Sequence, residues 1–148
     1  MDIALLRSSF GLLQPSADAL ARRFYARLFA TYPQVRPLFK TQDFTEQRRK
    51  LMASVAAVVA LVDRPETLGP VLATMGRQHQ ELGVLPRHYE YVAGSMLAAM
   101  ADEAGAAWTP EIAHTWDEAL HIVAERMIAA GAGAPAPAPA PAPAGAPG

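Results

Sequence analysis

The sequence predicts an all-α protein with six or seven helices joined by short turns. Apolar residues recur at intervals of three and four along most of the chain, which is the period of one helix face. No segment alternates apolar and polar residues as a half-buried β-strand would. Proline, glycine and small polar residues interrupt the helical pattern, and such residues commonly begin or end helices.

Two helices are expected before a short proline-rich segment. Pro15 should end the first helix, and Ser16 can cap the second, which Pro33 closes. The segment PQVRPLF that follows contains too many prolines for a long helix. The apolar face of the first helix carries Ile3, Leu6, Phe10 and Leu13. The face of the second carries Leu20, Phe24, Tyr25, Leu28, Phe29 and Tyr32.

Two further helices follow in the middle of the chain. Asp43 or Thr45 should open a long helix, and a later helix should begin after Pro70 and stop at Gly83. The stripe of the long helix consists of Gln47, Leu51, Val55, Val58 and Val62. The inward residues of the later helix are Val71, Leu72, Met75, His79 and Leu82.

The last two helices complete the predicted domain. Thr109 is a good cap, and Pro110 suits the first position of the final helix. The penultimate helix should bury Tyr89, Val92, Met96, Leu97 and Met100. The final helix should bury Ile112, Trp116, Leu120, Val123 and Met127.

The chain divides into one folded domain, residues 1–130, and a tail, residues 131–148. The tail contains only Gly, Ala and Pro, so we expect a disordered, extended linker or solubilising segment, with a docking ligand as the alternative. The formal net charge of -1 offers no basic surface for nucleic acid or a membrane. The chain has no cysteine, no signal-peptide pattern, and no apolar run near the 20 or so residues that cross a bilayer. We therefore expect a cytoplasmic protein.

His79 is the histidine whose position is unusual. It lies on the apolar stripe of its helix, whereas His114 and His121 lie opposite the apolar face of theirs and His88 has no evident partner. An imidazole among apolar residues needs partners for its nitrogens, because an unpaired buried polar group costs about 1–3 kcal/mol. From its helix alone, His79 is either a hydrogen-bonded core histidine or a metal ligand.

Gln47 and Tyr25 place polar groups on two other apolar stripes. Taken alone, each has an ordinary explanation: a glutamine near solvent in a first helical turn, and a core tyrosine whose hydroxyl reaches out. Three helices with one inward polar group each do not resemble a closed zinc site, which needs several ligands at close spacing. A single imidazole suits a metal that brings its own equatorial ligands, as iron does in haem.

In this order and spacing the motifs resemble the bacterial single-domain globins, and specifically the haem domain of flavohaemoglobins. The resemblance covers nearly all of residues 1–130. Pro33 and Phe39 have the separation of the globin turn that places a Phe against the haem. The segments that carry it are FYARLF (24–29), YPQVRPLF (32–39), EQRRKLM (46–52) and HQELGVLPRHYEYVAG (79–94).

The resemblance implies a role for each matching residue around a haem b cofactor. His79 would be the proximal iron ligand, and Tyr25 and Gln47 would donate hydrogen bonds to bound dioxygen. Leu51 would shape the distal cavity, and Phe39 would pack on the porphyrin. Lys50 is a candidate partner for a haem propionate, with a solvated lysine as the alternative.

The sequence departs from the family at one supporting position. In flavohaemoglobins a Tyr and a Glu support the proximal histidine; Tyr89 matches the Tyr, but the Glu position falls at about Gly131. An anionic partner for His79 is therefore expected to be missing, which argues against strong peroxidase-like chemistry. No glycine-rich dinucleotide fingerprint occurs either, so electrons would have to come from a separate reductase.

The resemblance implies a haem protein that binds dioxygen tightly, along with nitric oxide or other small gases. Its expected use is conversion of nitric oxide to nitrate, which would make it a dioxygenase that needs a reductase. An oxygen storage or delivery protein and a haem-based gas sensor would use the same pocket. A helical bundle without a cofactor would have to account for three inward polar groups.

Overall fold

The computed structural model describes residues 1–132, and the greater part of the expected tail, residues 133–148, lies outside them. These residues form six α-helices and three short 3-10 segments, with no strand among them, so the prediction of an all-α fold is confirmed. The helices are α1 (Ile3–Leu13), α2 (Ala17–Thr31), α3 (Thr45–Leu61), α4 (Pro65–Glu81), α5 (Pro86–Ala104) and α6 (Pro110–Ala132). The 3-10 segments are Gln14–Ser16, Pro33–Leu38 and Gly105–Ala107.

Side chains and prolines set most of the helix boundaries. Asp2 caps α1, since its carboxylate accepts a hydrogen bond from the Leu5 amide at 2.9 Å. Thr109 caps α6 in the same way, through the Ile112 amide at 3.2 Å. Gly83 follows the end of α4 with a φ of 90°, a conformation that glycine adopts without strain.

The α4 helix begins earlier than the sequence pattern indicated. It starts at Pro65 and contains Pro70, which we expected to precede it. Pro65 occupies the first turn, where a missing N–H is harmless, whereas Pro70 lies in the second turn and deprives the Glu66 carbonyl of its helical donor without interrupting the helix. Two residues predicted to point inward are exposed: Val71 at 37% and Val92 at 38%. Each lies next to the buried face of its helix, because the face that the rest of the protein covers is narrower than the apolar stripe in the sequence.

The buried apolar residues form one large cluster and one small cluster. The large cluster joins α1, α2, α3, α5 and α6 around Phe24, Met96 and Trp116, all at 2% exposure or less. The indole N–H of Trp116 donates to the Ser9 hydroxyl at 2.9 Å, which satisfies a buried polar pair. The small cluster is formed by Leu68, Leu72 and Met127, with Met75 and Tyr89 packed against it.

The helices α4 and α6 pack with their backbones unusually close. A Cβ built on Gly76 would overlap the backbone carbonyl of Met127. At Gly131 an added Cβ would lie 3.0 Å from the Gln80 Cβ and 3.1 Å from the Gly76 carbonyl oxygen. Only glycine at position 76 permits this approach, which fixes α4, and with it His79, against α6. Within the described part of the chain, no helix is both long and apolar enough to cross a membrane.

Candidate functional site

Tyr25 and Gln47 form a hydrogen-bonded pair between α2 and α3. The Gln47 Nε2 donates to the Tyr25 hydroxyl oxygen at 3.1 Å. Tyr25 is only 7% exposed, and burial raises the pKa of its phenol, while the hydrogen bond from Gln47 acts in the opposite direction. The hydroxyl therefore stays protonated at neutral pH. Because its oxygen accepts from Gln47, its own hydrogen remains available to a ligand.

Four phenylalanines surround the ring of Tyr25. The ring centroids lie 4.8 Å from Phe24, 5.8 Å from Phe29, 5.7 Å from Phe39 and 5.1 Å from Phe44. Three of these rings meet Tyr25 edge-to-face and Phe29 stacks on it, which fixes the direction of the phenol and keeps its surroundings apolar. The structure thus brings Phe39, which the sequence indicated, to Tyr25 and Gln47. Sequence reasoning missed Phe44, although an aromatic residue in the polar loop TQDFTEQ was a usable signal.

Arg36 holds the loop that carries Phe39 and was also missed. Its guanidinium donates to the Phe39 carbonyl at 2.6 Å and to the Thr41 carbonyl at 3.2 Å. The same guanidinium lies 5.3 Å from the Phe29 ring centroid and 5.0 Å from that of Phe44. These contacts join the loop to the aromatic residues around Tyr25 through hydrogen bonds and cation–π attraction. No spacing rule in the sequence links Arg36 to these partners.

Leu51 and Lys50 lie one turn beyond Gln47 on α3. Leu51 is half-buried and packs against the large apolar cluster, whereas Lys50 is exposed. A hydrophobic residue at position 51 is thus on the same side of α3 as Gln47.

His79 has one ring nitrogen committed and the other without a partner. Its Nδ1 lies 2.7 Å from the Met75 carbonyl oxygen, and since a carbonyl only accepts, Nδ1 carries the hydrogen. The lone pair is then on Nε2, which makes no hydrogen bond within residues 1–132. This backbone-donating neutral tautomer is the form of histidine that binds metals. The same residues contain no group of three or more His, Cys, Asp or Glu that could hold a metal ion unaided.

Several apolar residues of α3 and α4 are only half-buried, although Leu72 on the same stripe of α4 is buried. Half-buried apolar side chains leave apolar surface that an apolar cofactor can cover. A single imidazole with a free Nε2, set on these faces, therefore fits a haem rather than a bare metal ion. The half-buried residues are Leu51, Val55, Val58, Val62, Met75 and Leu82.

Tyr89 lies near His79, as the sequence indicated. The two ring centroids are 6.3 Å apart, and burial raises the pKa of Tyr89 to about 12. Gly131, the position at which a glutamate was expected to be missing, lies in the same cleft as Tyr89. The site thus has two groups of residues, one around Tyr25 and one around His79.

The other three histidines have ordinary surroundings. The Nδ1 of His88 accepts a hydrogen bond from the Leu85 amide at 2.9 Å, a partner that was not evident in the sequence. His114 and His121 lie on the exposed face of α6, each beside an acidic residue one turn away. For His121, a hydrogen bond with the Asp117 carbonyl raises the pKa.

Comparisons with known proteins agree with this architecture. Residues 22–127 match the globin family model. The chain is 36% identical over 127 residues to a flavohemoprotein of Deinococcus radiodurans. The alignment covers 84% of this chain and 32% of that protein. It is 31% identical over 128 residues to a flavohemoprotein of Bacillus subtilis, spanning 85% of this chain and 32% of that protein. The chain therefore spans about a third of the length of these curated relatives.

Solved structures show the same fold. An engineered carbene transferase from Rhodothermus marinus, a protein proposed to be a nitric oxide dioxygenase, matches with a TM-score of 0.79 and 27% identity. That match covers 88% of this chain and 90% of the other. A bacterial globin of Campylobacter jejuni has a TM-score of 0.77 at 22% identity, covering 88% and 94% of the two chains. The resemblance recognised in the sequence is confirmed: this chain has the globin fold and belongs to the globin family.

Proposed function

We propose that the chain binds haem b and uses the pocket of Tyr25 and Gln47 to retain dioxygen. The observation that carries the proposal is the direction of the Gln47–Tyr25 hydrogen bond, which leaves the phenol hydrogen free inside an apolar pocket. Haem supplies an iron that binds small gases and exchanges single electrons. The Nε2 of His79 would hold that iron, and the Met75 carbonyl would keep the imidazole in the required tautomer.

The residues near Tyr25 would then act on the gas. The Tyr25 hydroxyl would donate a hydrogen bond to dioxygen held in the pocket, and Gln47 would orient and polarise the hydroxyl. The surrounding phenylalanines exclude water, which would otherwise compete for the same hydrogen bond. Phe39 would pack against the porphyrin, Leu51 would limit the space around the gas, and exposed Lys50 would pair with a propionate.

The use of the bound gas that we propose is the removal of nitric oxide. Nitric oxide, dioxygen and one electron give one nitrate ion, so each turnover needs an electron from a reductase that lies outside these 148 residues. Support comes from the flavohemoprotein relatives and from the Rhodothermus marinus protein proposed to be a nitric oxide dioxygenase.

An oxygen carrier is the second candidate, and Gly131 favours it. Among residues 1–132, no acidic side chain lines the cleft beside Tyr89, so none of these residues gives His79 anionic support from that direction. A histidine that donates only to a backbone carbonyl increases electron density on iron less than one that donates to a carboxylate. Such a site suits reversible binding.

Two measurements test these proposals in order. Purified protein supplied with haem should show a strong Soret absorption, and its absence would end the haem proposal. The haem-loaded protein should then consume nitric oxide in air-saturated buffer with a ferredoxin- or flavin-type reductase and reduced nicotinamide. Many turnovers for each haem, with nitrate as product, support the dioxygenase. A single turnover in the presence of an active reductase supports the carrier.

A further inference from the structure

A cleft of about 410 Å³ lies beside the residue that follows His79. It is bounded by the end of α4, the start of α5 and the end of α6. Gln80 and Tyr89 supply the two polar side chains of its lining, and the remaining lining residues are apolar or glycine. The cleft is therefore a largely apolar space into which two hydrogen-bonding side chains project from different helices.

Gln80 brings an unsatisfied acceptor to this cleft. Its Oε1 is buried and accepts no hydrogen bond from any residue in the range 1–132. An unpaired buried carbonyl lowers the folding equilibrium constant about five- to 150-fold relative to a paired one. A side chain in this position needs a donor.

The close approach of α4 and α6 places Gln80 there. A Cβ on Gly131 would lie 3.0 Å from the Gln80 Cβ and 3.4 Å from its Cγ, so a larger residue at position 131 would push the Gln80 stem aside. The glycine that removes the family's carboxylate is thus the same residue that lets α6 cover Gln80.

Tyr89 is the donor that shares the cleft. Its hydroxyl makes no hydrogen bond with a described residue, and its ring lies 6.3 Å from the imidazole of His79. A phenol donates one hydrogen, and an amide carbonyl accepts it. Because both side chains line one cleft, a change in the Gln80 side-chain torsions can turn its carbonyl toward the Tyr89 hydroxyl.

We propose that the Gln80 side-chain carbonyl accepts the hydrogen bond of the Tyr89 hydroxyl. Gln80 is then a positioning residue for His79, since the bond ties the next residue in α4 to the tyrosine ring that packs near the imidazole. The pair is uncharged and takes the place of an anionic partner. The effect of this pair on iron depends on the haem binding proposed above, whereas the hydrogen bond between Tyr89 and Gln80 does not depend on it.

A double-mutant cycle tests the hydrogen bond with the full chain as it purifies. Gln80→Leu, Tyr89→Phe and the double variant are compared by urea unfolding. We expect the effects to be coupled by about fivefold in the unfolding equilibrium constant, because each single change removes the same bond. The matched control combines Gln80→Leu with Tyr91→Phe, whose ring stacks on Tyr32 at 3.9 Å outside the cleft, and should be additive. Additive effects for the Gln80 and Tyr89 pair would overturn the proposal.

The reduction potential of the haem-loaded protein tests the effect on His79. Gln80→Glu places a carboxylate next to Tyr89 and should lower the potential by about 59 mV, which is tenfold in a one-electron equilibrium. Gln78→Glu is the matched control, since Gln78 flanks His79 on the other side and is exposed. Equal shifts in the two variants would mean that Gln80 has no special connection to His79. A protein that takes up no haem would end the proposed function and leave the unfolding cycle to decide the hydrogen bond.

Discussion

Replacement of Tyr25 by Phe removes one oxygen atom from the pocket and leaves its packing intact. The rings around Tyr25 contact its aromatic faces and edges, with centroids 4.8–5.8 Å away, and Phe preserves all of these contacts. What disappears is the hydroxyl that accepts from Gln47 at 3.1 Å and is free to donate to a gas. The variant therefore isolates the hydrogen bond from the shape of the pocket.

The expected effect is faster release of dioxygen. Loss of one hydrogen bond to a polarised ligand in an apolar pocket is worth about 1–2 kcal/mol, which corresponds to a five- to 30-fold increase in the dissociation rate. We expect no larger increase in the dissociation rate, because the Gln47 amide, once freed from the Tyr25 hydroxyl, can turn toward the gas. Gln47→Leu should have a smaller effect, about two- to tenfold, since the phenol can still donate.

Stopped-flow mixing of the oxygenated protein with carbon monoxide or dithionite measures the dissociation rate directly. Tyr32→Phe is the matched control, because its ring stacks on Tyr91 at 3.9 Å rather than on Tyr25. An unchanged rate in Tyr25→Phe, with haem fully bound, would show that the Tyr25 hydroxyl does not contact the gas. A control variant that released oxygen equally fast would point to a general loosening of the fold.

Three further outcomes follow from the described geometry. His79→Ala should lose the Soret spectrum of the haem-loaded protein, and His88→Ala, whose ring only caps α5, should keep it; retention in both would refute the ligand assignment. Gly76→Ala should destabilise the protein by about 1–3 kcal/mol in urea unfolding, because a Cβ there overlaps the backbone of α6. Gly94→Ala has open space and should stabilise α5 by about 0.5–1 kcal/mol, so equal losses would argue against the close helix contact. Burial raises the folded-state pKa of Tyr89 to about 12 from 10.0, so the stability contributed by its neutral phenol is complete below pH 10 and is lost as the pH rises toward 12. Tyr89→Phe should therefore flatten the decline of the urea midpoint over this pH range.

Helix periodicity predicted most of the fold because the core is built from single apolar faces. The buried residues Leu6, Phe24 and Trp116 all lie on stripes that recur every three or four positions. The start of α4 was less predictable, since the tolerance of Pro70 depends on how far upstream the helix begins. Val71 is exposed for a similar reason: periodicity gives the direction of a face but not how much of it a neighbour covers.

The site could be predicted as residue types more readily than as contacts. An imidazole, a phenol and an amide on three apolar stripes were visible in the sequence, and the resemblance to globins gave each a role. The contacts of Arg36 with Phe29 and Phe44 were not visible, because they join a loop to two other elements with no fixed spacing.

By itself the sequence determined that the protein is helical, where its apolar faces lie, and that His79 is the imidazole on one of those apolar stripes. Each of these depends on local periodicity and residue chemistry, which are properties of neighbouring positions. Only the tertiary structure decided the direction of the hydrogen bond from Gln47 to Tyr25 and the unsatisfied state of Gln80. Both depend on how closely distant helices approach, and that distance is set by packing across the whole core rather than by any one segment.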